Sequence, residues 1–357
     1  MNIYQNDGWL DVPKLVRIAN KNKINFIFII GARSAGGKVI RVKPYLTHYR
    51  SHRKIVAIDH KIGYIGGMNI GKQYANLAEK KNPWIDVNID SGHCFYFRSV
   101  KGEKNRIILE EELPDGNTEY RGEAFALTTM QNNRGFSGSE FTEGFYDEFI
   151  PEEMAKKMNG EEEAFLNAVE TISSNRELKG KKPFRWWLAS NSNTLDNPII
   201  NAFGLLPYLE RMKKKGQEFA LLPDAGIMII LINKSPISEK KETTALYKAI
   251  NRKSKFASMA LDNEFAYDDT SAVNSEDLRQ YKLICTIANF GIYEHKSEAK
   301  LYVCEHISGS CKDNYEDTEH GRNQLRTFHS YIYNFIITNR ISYQNMNCKF
   351  FIDRIFK

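Results

Sequence analysis

Residues 25–30 read NFIFII, a run so apolar and of such strand length that it belongs in the buried interior of a sheet. The chain then turns at once through Gly31-Ala32-Arg33. A strand running into a glycine-containing turn is how a phosphate-binding loop begins, because glycine lets the backbone approach an anion closely. The residues beyond that turn depart from the pattern. In GARSAGGKV, Lys38 falls one residue late for G-x4-G-K, and Val39 stands where a Ser/Thr hydroxyl would hold magnesium. A plain turn and a disrupted nucleotide loop both fit, with Lys38 the candidate phosphate ligand in the second case.

The next stretch, YRSHRKIVAIDHKIGYIGGMNIG over 49–71, carries His52, Lys54 and Asp59 in the spacing H-x-K-x4-D. Gly66-Gly67-Met68-Asn69 comes shortly after. These residue types suit phosphodiester chemistry. An imidazole can attack phosphorus and form a covalent phospho-histidine. Lysine and asparagine can hold the negative charge that builds on phosphoryl oxygens. A carboxylate can fix the imidazole's orientation. The alternation Ile55, Val56, Ile58 predicts a buried strand, and Gly66-Gly67 would let the backbone close on a phosphate.

A third pattern lies further on. Phe145-Tyr146-Asp147-Glu148-Phe149 puts two acids directly after an aromatic strand end. That is the Walker B arrangement, in which the first acid holds magnesium and the second polarises attacking water. A solvated loop before Pro151 is the alternative. Around it the pattern predicts strands at Cys94–Phe97, Arg106–Leu109 and Glu123–Thr129. A helix is expected over Glu161–Asn175 with its apolar face at 165, 166, 169 and 172. An amphipathic stretch precedes the first strand at Val12–Asn20, and another, basic at its end, covers Leu206–Lys215 before Gly216. Gly226–Leu231 reads as a buried strand, and Leu283–His306 as strands turning at Glu294–Glu298. Asp262, Glu264, Asp268 and Asp269 are carboxylates of the kind a two-metal site uses, although acid clusters in loops are usually just solvated, and no metal ligand is assigned. The aromatic tail (Tyr331, Tyr333, Phe335, Tyr343, Phe350, Phe351) is expected in a core, and Lys213-Lys214-Lys215 at a solvated helix end, with contact to DNA phosphate as the alternative.

Composition narrows the class. Fifty Lys+Arg against 44 Asp+Glu leave a net charge of +6, compatible with nucleic acid or anionic lipid and compelling neither. The five cysteines form no C-x-x-C pair, which favours a reducing cytoplasm. No apolar run reaches membrane-span length and the N-terminus is polar, so a soluble protein without a signal peptide is expected.

Two resemblances arise from these residues. The 35–86 stretch, from AGGKVIRVKPYLTHYRSHRK to GKQYANLAEKKNPW, resembles the HKD motif of the phospholipase D superfamily, most closely its cardiolipin-synthase branch. It implies His52 as nucleophile, Lys54 and Asn69 as phosphate ligands and Asp59 as orienter, with no cofactor. Family enzymes use two such motifs, and only one is present, so a homodimer would have to supply the second. The implied substrate is a phospholipid or a nucleic-acid phosphodiester. Ile85-Asp86 stands where the family usually has Arg-Asp.

The rest, about 1–33 and 94–357, resembles the DNA-encapsidation ATPases of short-tailed phages, a branch of the terminase motors. The likeness runs through FIIGAR, GFYDEFIPEE, WWLASNSNTLDNPIINAFGLL and QEFALLPDAGIMIILINKSPIS. It implies ATP and Mg2+ at Lys38, Asp147 and Glu148, with Asn191 and Asn193 sensing the γ-phosphate, and duplex DNA and a phage portal as partners. With the Lys-Thr loop displaced, ATP hydrolysis should be poor or absent. The implied fold class is α/β: an ATPase-like sheet domain interrupted by a phospholipase D-like HKD segment, then a smaller RNase-H-like α/β domain. The expected divisions are 1–33, 34–92, 93–204 and 205–357.

Overall fold

The computed structural model describes residues 3, 11–31, 54–58, 88–89, 93–99, 107–113, 115–127, 141–151, 159–173, 175–233, 242–262, 265 and 268–356. The chain forms two compact units: residues 1–203 with 212–267, and residues 204–211 with 268–357.

The first unit is built on a ten-stranded sheet. Its strands are β1 (Phe26–Ile30), β2 (Lys54–Ile58), β3 (Asn88–Ile89), β4 (His93–Ser99), β5 (Ile107–Glu112), β6 (Thr118–Ala126), β7 (Glu143–Asp147), β8 (Arg185–Ser190), β9 (Phe219–Leu222) and β10 (Ile227–Leu231). They lie in the order β3-β4-β5-β6-β2-β7-β8-β1-β10-β9. The four strands β7-β8-β1-β10 are mutually parallel, and all the others add antiparallel. Parallel strands are covered on both faces and so need continuous apolar runs. NFIFII, RWWLAS and IMIIL supply them: Ile27–Ile30, Trp186–Ser190 and Ile227–Leu231 are buried throughout.

Alternation sorts these side chains onto two faces. Helix α1 (Val12–Lys21) packs Leu15 and Ala19 on the face made by Ile27, Ile29, Phe145, Trp187, Ala189, Met228 and Ile230. Asp11 caps that helix by accepting the Lys14 N–H at 3.0 Å, and Pro13 occupies its first turn, where a missing N–H costs nothing. The opposite face carries an aromatic stack. Phe28 meets Phe149 and Phe203, and Phe165 of helix α2 (Glu161–Ser173) lies flat on Tyr146 and edge-on to Trp186. The Tyr146 hydroxyl donates 2.6 Å to the buried Glu161 carboxylate at the start of α2. The buried stripe of α2 is Glu161, Ala164, Phe165, Ala168 and Ile172. Leu166, expected inside, is 43% exposed, because the aromatic surface beneath takes small alanines rather than a leucine. Helices α3 (Pro198–Ala202) and α4 (Leu206–Lys215) come after β8, and α4 spans the boundary between the units. Helices α5 (Ala245–Ala249) and α6 (Lys255–Asp262) close the first unit.

The second unit holds β11 (Tyr281–Ile287), β12 (Phe290–His295), β13 (Leu301–Cys304), β14 (Asp313–Tyr315) and β15 (Ile341–Tyr343), in the order β14-β11-β12-β13-β15. The first three form an antiparallel meander; β14 adds parallel to β11 and β15 parallel to β13. A bulge between Leu283 and Cys285 flips the parity of β11. Tyr281 and Leu283 therefore join Tyr293, Tyr302 and Cys304 on one face, while Cys285 and Ile287 join the main core on the other. That core is covered by Leu325 of α7 (Glu319–Phe328), Ile332 and Ile336 of α8 (Tyr331–Ile337), and Cys348, Ile352 and Ile355 of α9 (Met346–Phe356). Of the aromatic tail, Tyr343 and Phe350 are buried and Phe335 and Phe351 pack against the core. Tyr331 and Tyr333 depart from the expectation; they are 38% and 45% exposed, because Ile332 and Ile336 take the inward face of that short helix. The chain is thus a mixed α/β protein. No helix among the described residues is long and apolar enough to cross a membrane.

Candidate functional site

Because β1, β7 and β8 are parallel neighbours, their C-terminal ends reach the same edge of the sheet, which is where open α/β sheets bind ligands. The register pairs Ile30 with Ser190 and Asp147 with Ala189, so Gly31, Asp147-Glu148 and Ser190–Asn193 emerge side by side. Gly31 has φ 87°, a turn that a side chain would resist, and its N–H donates 2.8 Å to the Ser190 carbonyl.

The segment after β7 is clamped from β8. Ser190, buried, accepts the Ile150 N–H at 3.0 Å and donates to the Ile150 carbonyl at 3.0 Å. Asn193 donates 3.1 Å to the Pro151 carbonyl. Asn197, fully buried, donates 2.8 Å to the Phe149 carbonyl while its oxygen caps α3 through the N–H groups of Ile199 and Ile200. Three consecutive carbonyls are thereby held by three side chains. Against this restraint Glu148 adopts φ 53°, a left-handed conformation that costs a residue with a side chain about 1–3 kcal/mol. The Glu148 N–H donates 3.0 Å back to the Asp147 carboxylate. Both acids are partly exposed at the strand end. Two residues past the end of β8, Ser192 is 1% exposed and its hydroxyl has no hydrogen-bond partner among the described residues.

Asp147, Glu148 and Asn193 therefore come to one edge with Gly31. The Asn193 amide is engaged by the loop it braces. Asn191 is partly exposed beside it. Ser190, Ser192 and Asn197 belong to none of the sequence motifs. Asn197 had a signal, since Asn followed by Pro is a helix-start pattern.

Of the HKD residues, Lys54 opens β2, and the register places it opposite Asp147 of β7 and Ala126 of β6. His52, Asp59, Gly66, Gly67 and Asn69 lie outside the described residues, as do Lys38 and Glu264. Among the carboxylates considered for a metal, Asp262 on α6 is bound bidentately by Arg252 at 2.8 and 2.9 Å in the first unit. Asp268 and Asp269 belong to the second unit. Among the described residues no cluster of three or more His, Cys, Asp or Glu is arranged to hold a metal ion. The triple lysine at 213–215 is exposed at the C-terminus of α4, where cations meet the negative end of the helix dipole. Lys213 also stacks 4.7 Å over the Phe265 ring.

The profile of the podovirus DNA encapsidation protein (Gp16) family matches residues 16–350. Curated relatives of a different kind match only part of the chain. A cardiolipin synthase of Listeria welshimeri is 48% identical over 63 residues, 18% of this chain and 12% of that protein. The major cardiolipin synthase ClsA of Bacillus subtilis is 41% identical over 64 residues, 16% of this chain and 13% of that protein. Cardiolipin synthase 1 of Bacillus cereus is 31% identical over 131 residues, 34% of this chain and 24% of that protein. The chain spans at most 24% of the length of these three relatives. No solved structure gives a significant match.

Proposed function

The chain belongs to the podovirus DNA encapsidation protein (Gp16) family, and from that premise we propose that it serves phage DNA packaging as a nucleotide-binding subunit. The observation that carries this reading is the strand order: β8 lies between β1 and β7, bringing the turn at Gly31 and the acids Asp147 and Glu148 to one edge. The residues present fit a magnesium nucleotide in part. Two partly exposed carboxylates stand at the strand end, and the buried Ser192 hydroxyl just past the neighbouring strand lacks a partner among the described residues. Asp147 would hold the metal ion, which when bound neutralises charge on the phosphates. Glu148, fixed in its turn, would orient and polarise water. Lys38 and Val39 do not supply the usual lysine and hydroxyl, so turnover is expected to be slow. Duplex DNA and a phage portal are the partners this reading implies.

The test is ATP binding and hydrolysis by the full chain with Mg2+, comparing wild type with Glu148→Gln. Binding in both, with slow turnover in wild type that Glu148→Gln removes, supports the reading. No binding at millimolar Mg-ATP, or turnover indifferent to Glu148, sinks it.

A second reading is favoured by the 63 residues shared at 48% identity with a cardiolipin synthase and by the H-x-K-x4-D spacing. His52 would attack phosphorus, Lys54 and Asn69 would hold the phosphoryl oxygens with Gly66 and Gly67 close by, and Asp59 would orient the imidazole. The substrate would be a phospholipid or nucleic-acid phosphodiester, with a second copy of the chain completing the site. Metal-independent hydrolysis of bis-p-nitrophenyl phosphate, lost in His52→Ala, is the expected result; activity that survives the substitution refutes it.

A further inference from the structure

The opposite end of the same strands carries a surface of another kind. The link from α2 to β8 makes a 3-10 turn at Arg176–Lys179, entered at Asn175 with φ 51° and left at Gly180 with φ 70°. Leu178 at its tip is 87% exposed, the most exposed large apolar side chain among the described residues. A leucine left in water is usually on a mobile tip, but this one is braced. Arg176 is buried, donates to the Phe141 carbonyl and lies 5.6 Å over the Phe184 ring. Backbone bonds from Leu178 to Asn175, Gly180 to Glu177 and Lys181 to Arg176 close the turn at 3.0–3.1 Å.

Around that tip Lys179, Lys181 and Lys182 are exposed, and the chain runs from them into the start of β8. The start of β1 lies alongside, with Lys21 and Lys23 exposed. Arg185 ties the two starts together: it donates to the Ile24 carbonyl at 3.3 Å, to Asn20 at 2.5 Å and to Glu143 at 3.1 Å. Five exposed lysines thus share one sheet edge with the exposed acids Glu177 and Asp224, while Glu143 is paired with Arg185 and Glu119 with Arg121. A polyanion at this edge sits at the far end of the strands from Asp147 and Glu148.

We propose that this edge, with the Arg176–Lys182 turn at its centre, is a docking surface for the phosphate backbone of duplex DNA. Lys179, Lys181 and Lys182 contact phosphates, and Leu178 makes an apolar contact in a groove. The inference rests on the packaging reading, which supplies duplex DNA as the occupant; the charge and the rigid apolar tip supply the site.

The experiment is fluorescence anisotropy of a labelled duplex against salt concentration, using the full chain. The variants are Lys179→Gln/Lys181→Gln/Lys182→Gln, Leu178→Ala, and, as a control on another basic run, Lys213→Gln/Lys214→Gln/Lys215→Gln. Removing three phosphate contacts should reduce the slope of log K against log salt by about 2.7 and weaken binding at least about tenfold. Leu178→Ala should weaken binding several-fold at unchanged slope, and the control should bind as wild type. Wild-type slope and affinity in the 179/181/182 variant overturn the proposal while leaving the packaging reading standing. A wild type that binds no duplex at low salt overturns both. Binding to phosphatidylglycerol vesicles in preference to duplex, lost in the same variant, overturns DNA as the occupant and assigns the edge to anionic lipid.

Discussion

Ser190→Ala tests how the acid-bearing turn is held. The substitution removes one oxygen from a side chain that is 3% exposed and leaves the β8 backbone free to pair with β1 and β7 as before. What it orphans is specific: the Ile150 N–H and the Ile150 carbonyl, each bonded to that oxygen at 3.0 Å, in a residue that is itself buried. An unsatisfied buried backbone group costs about 1–3 kcal/mol, so the pair should cost about 2–4 kcal/mol when the turn can partly relax towards water. The loss should be local, because Asn193 and Asn197 still hold the carbonyls on either side. Hydrogen exchange resolved at the Ile150 amide reads it directly. At about 1.4 kcal/mol per factor of ten, exchange should accelerate roughly 30- to 700-fold, with amides of β10 unchanged. Glu148, relieved of its restraint, should leave its left-handed conformation and lose any role in turnover. Exchange at Ile150 within about threefold of wild type would refute the clamp, since either bond alone should protect more than that.

Two other outcomes rest on packing and charge. In Gly144→Ala the new Cβ would stand 2.7 Å from the Phe184 ring and 2.8 Å from Trp186, rings that are themselves buried and packed against each other at a 45° tilt. Such overpacking should destabilise the first unit by about 1–3 kcal/mol in urea unfolding, and an unchanged midpoint would contradict it. Glu210 accepts the Met346 N–H at 2.7 Å, at the start of α9. Burial raises its carboxyl above the ordinary 4.5, and Glu305 and Asp268 add to that against the opposing pull of the hydrogen bond. A raised folded value means that the proton favours the folded state, so stability present below about pH 4.5 is lost as pH rises through the folded pKa. Glu210→Gln keeps an acceptor without the charge. It should be more stable than wild type at pH 7 and show no gain at pH 4 in thermal melts; a pH-independent difference would argue against the assignment.

The elements that sequence disclosed are those whose cause is local. NFIFII, GIMIIL and the 206–215 helix carry their own periodicity or their own uniform apolarity, and the glycines after the first and last of these carry positive φ at Gly31 and Gly216. The acids after β7 were visible for the same reason. The features hidden from sequence depend on partners far along the chain. Apolar spacing puts the inward face of α2 at 165, 166, 169 and 172, but the aromatic sheet beneath it selects Ala164 and Ala168 over Leu166. The β11 bulge, which sends Cys285 and Leu283 to opposite faces, has no signature in ICT or LIC. The turn expected at Glu294–Glu298 overlaps the one between β12 and β13 at 296–300, whereas the tighter turn at Ala288, with φ 50°, between β11 and β12 has no such signal. Ser190 reads as one serine among several in LASNSN, and only the meeting of two parallel strands gives it a backbone to hold.

The strand order also bears on how two phosphate motifs coexist in one chain. β2, the strand of the H-x-K stretch, is hydrogen-bonded along its whole length to β6 on one side and β7 on the other. It lies within the ten-stranded sheet, antiparallel to β7, with Lys54 opposite Asp147. Yet the position of Asp147 and Glu148 is set from the other side, by the parallel ladder to β8 and by Ser190, Asn193 and Asn197. None of those restraints passes through residues 32–53, where the sequence departs from the G-x4-G-K pattern. An interruption after Gly31 can therefore remove the lysine and hydroxyl that grip phosphate while the acids stay in place. Fold alone assigns neither activity, and the acid edge and the H-x-K segment must each be judged by the chemistry measured at it.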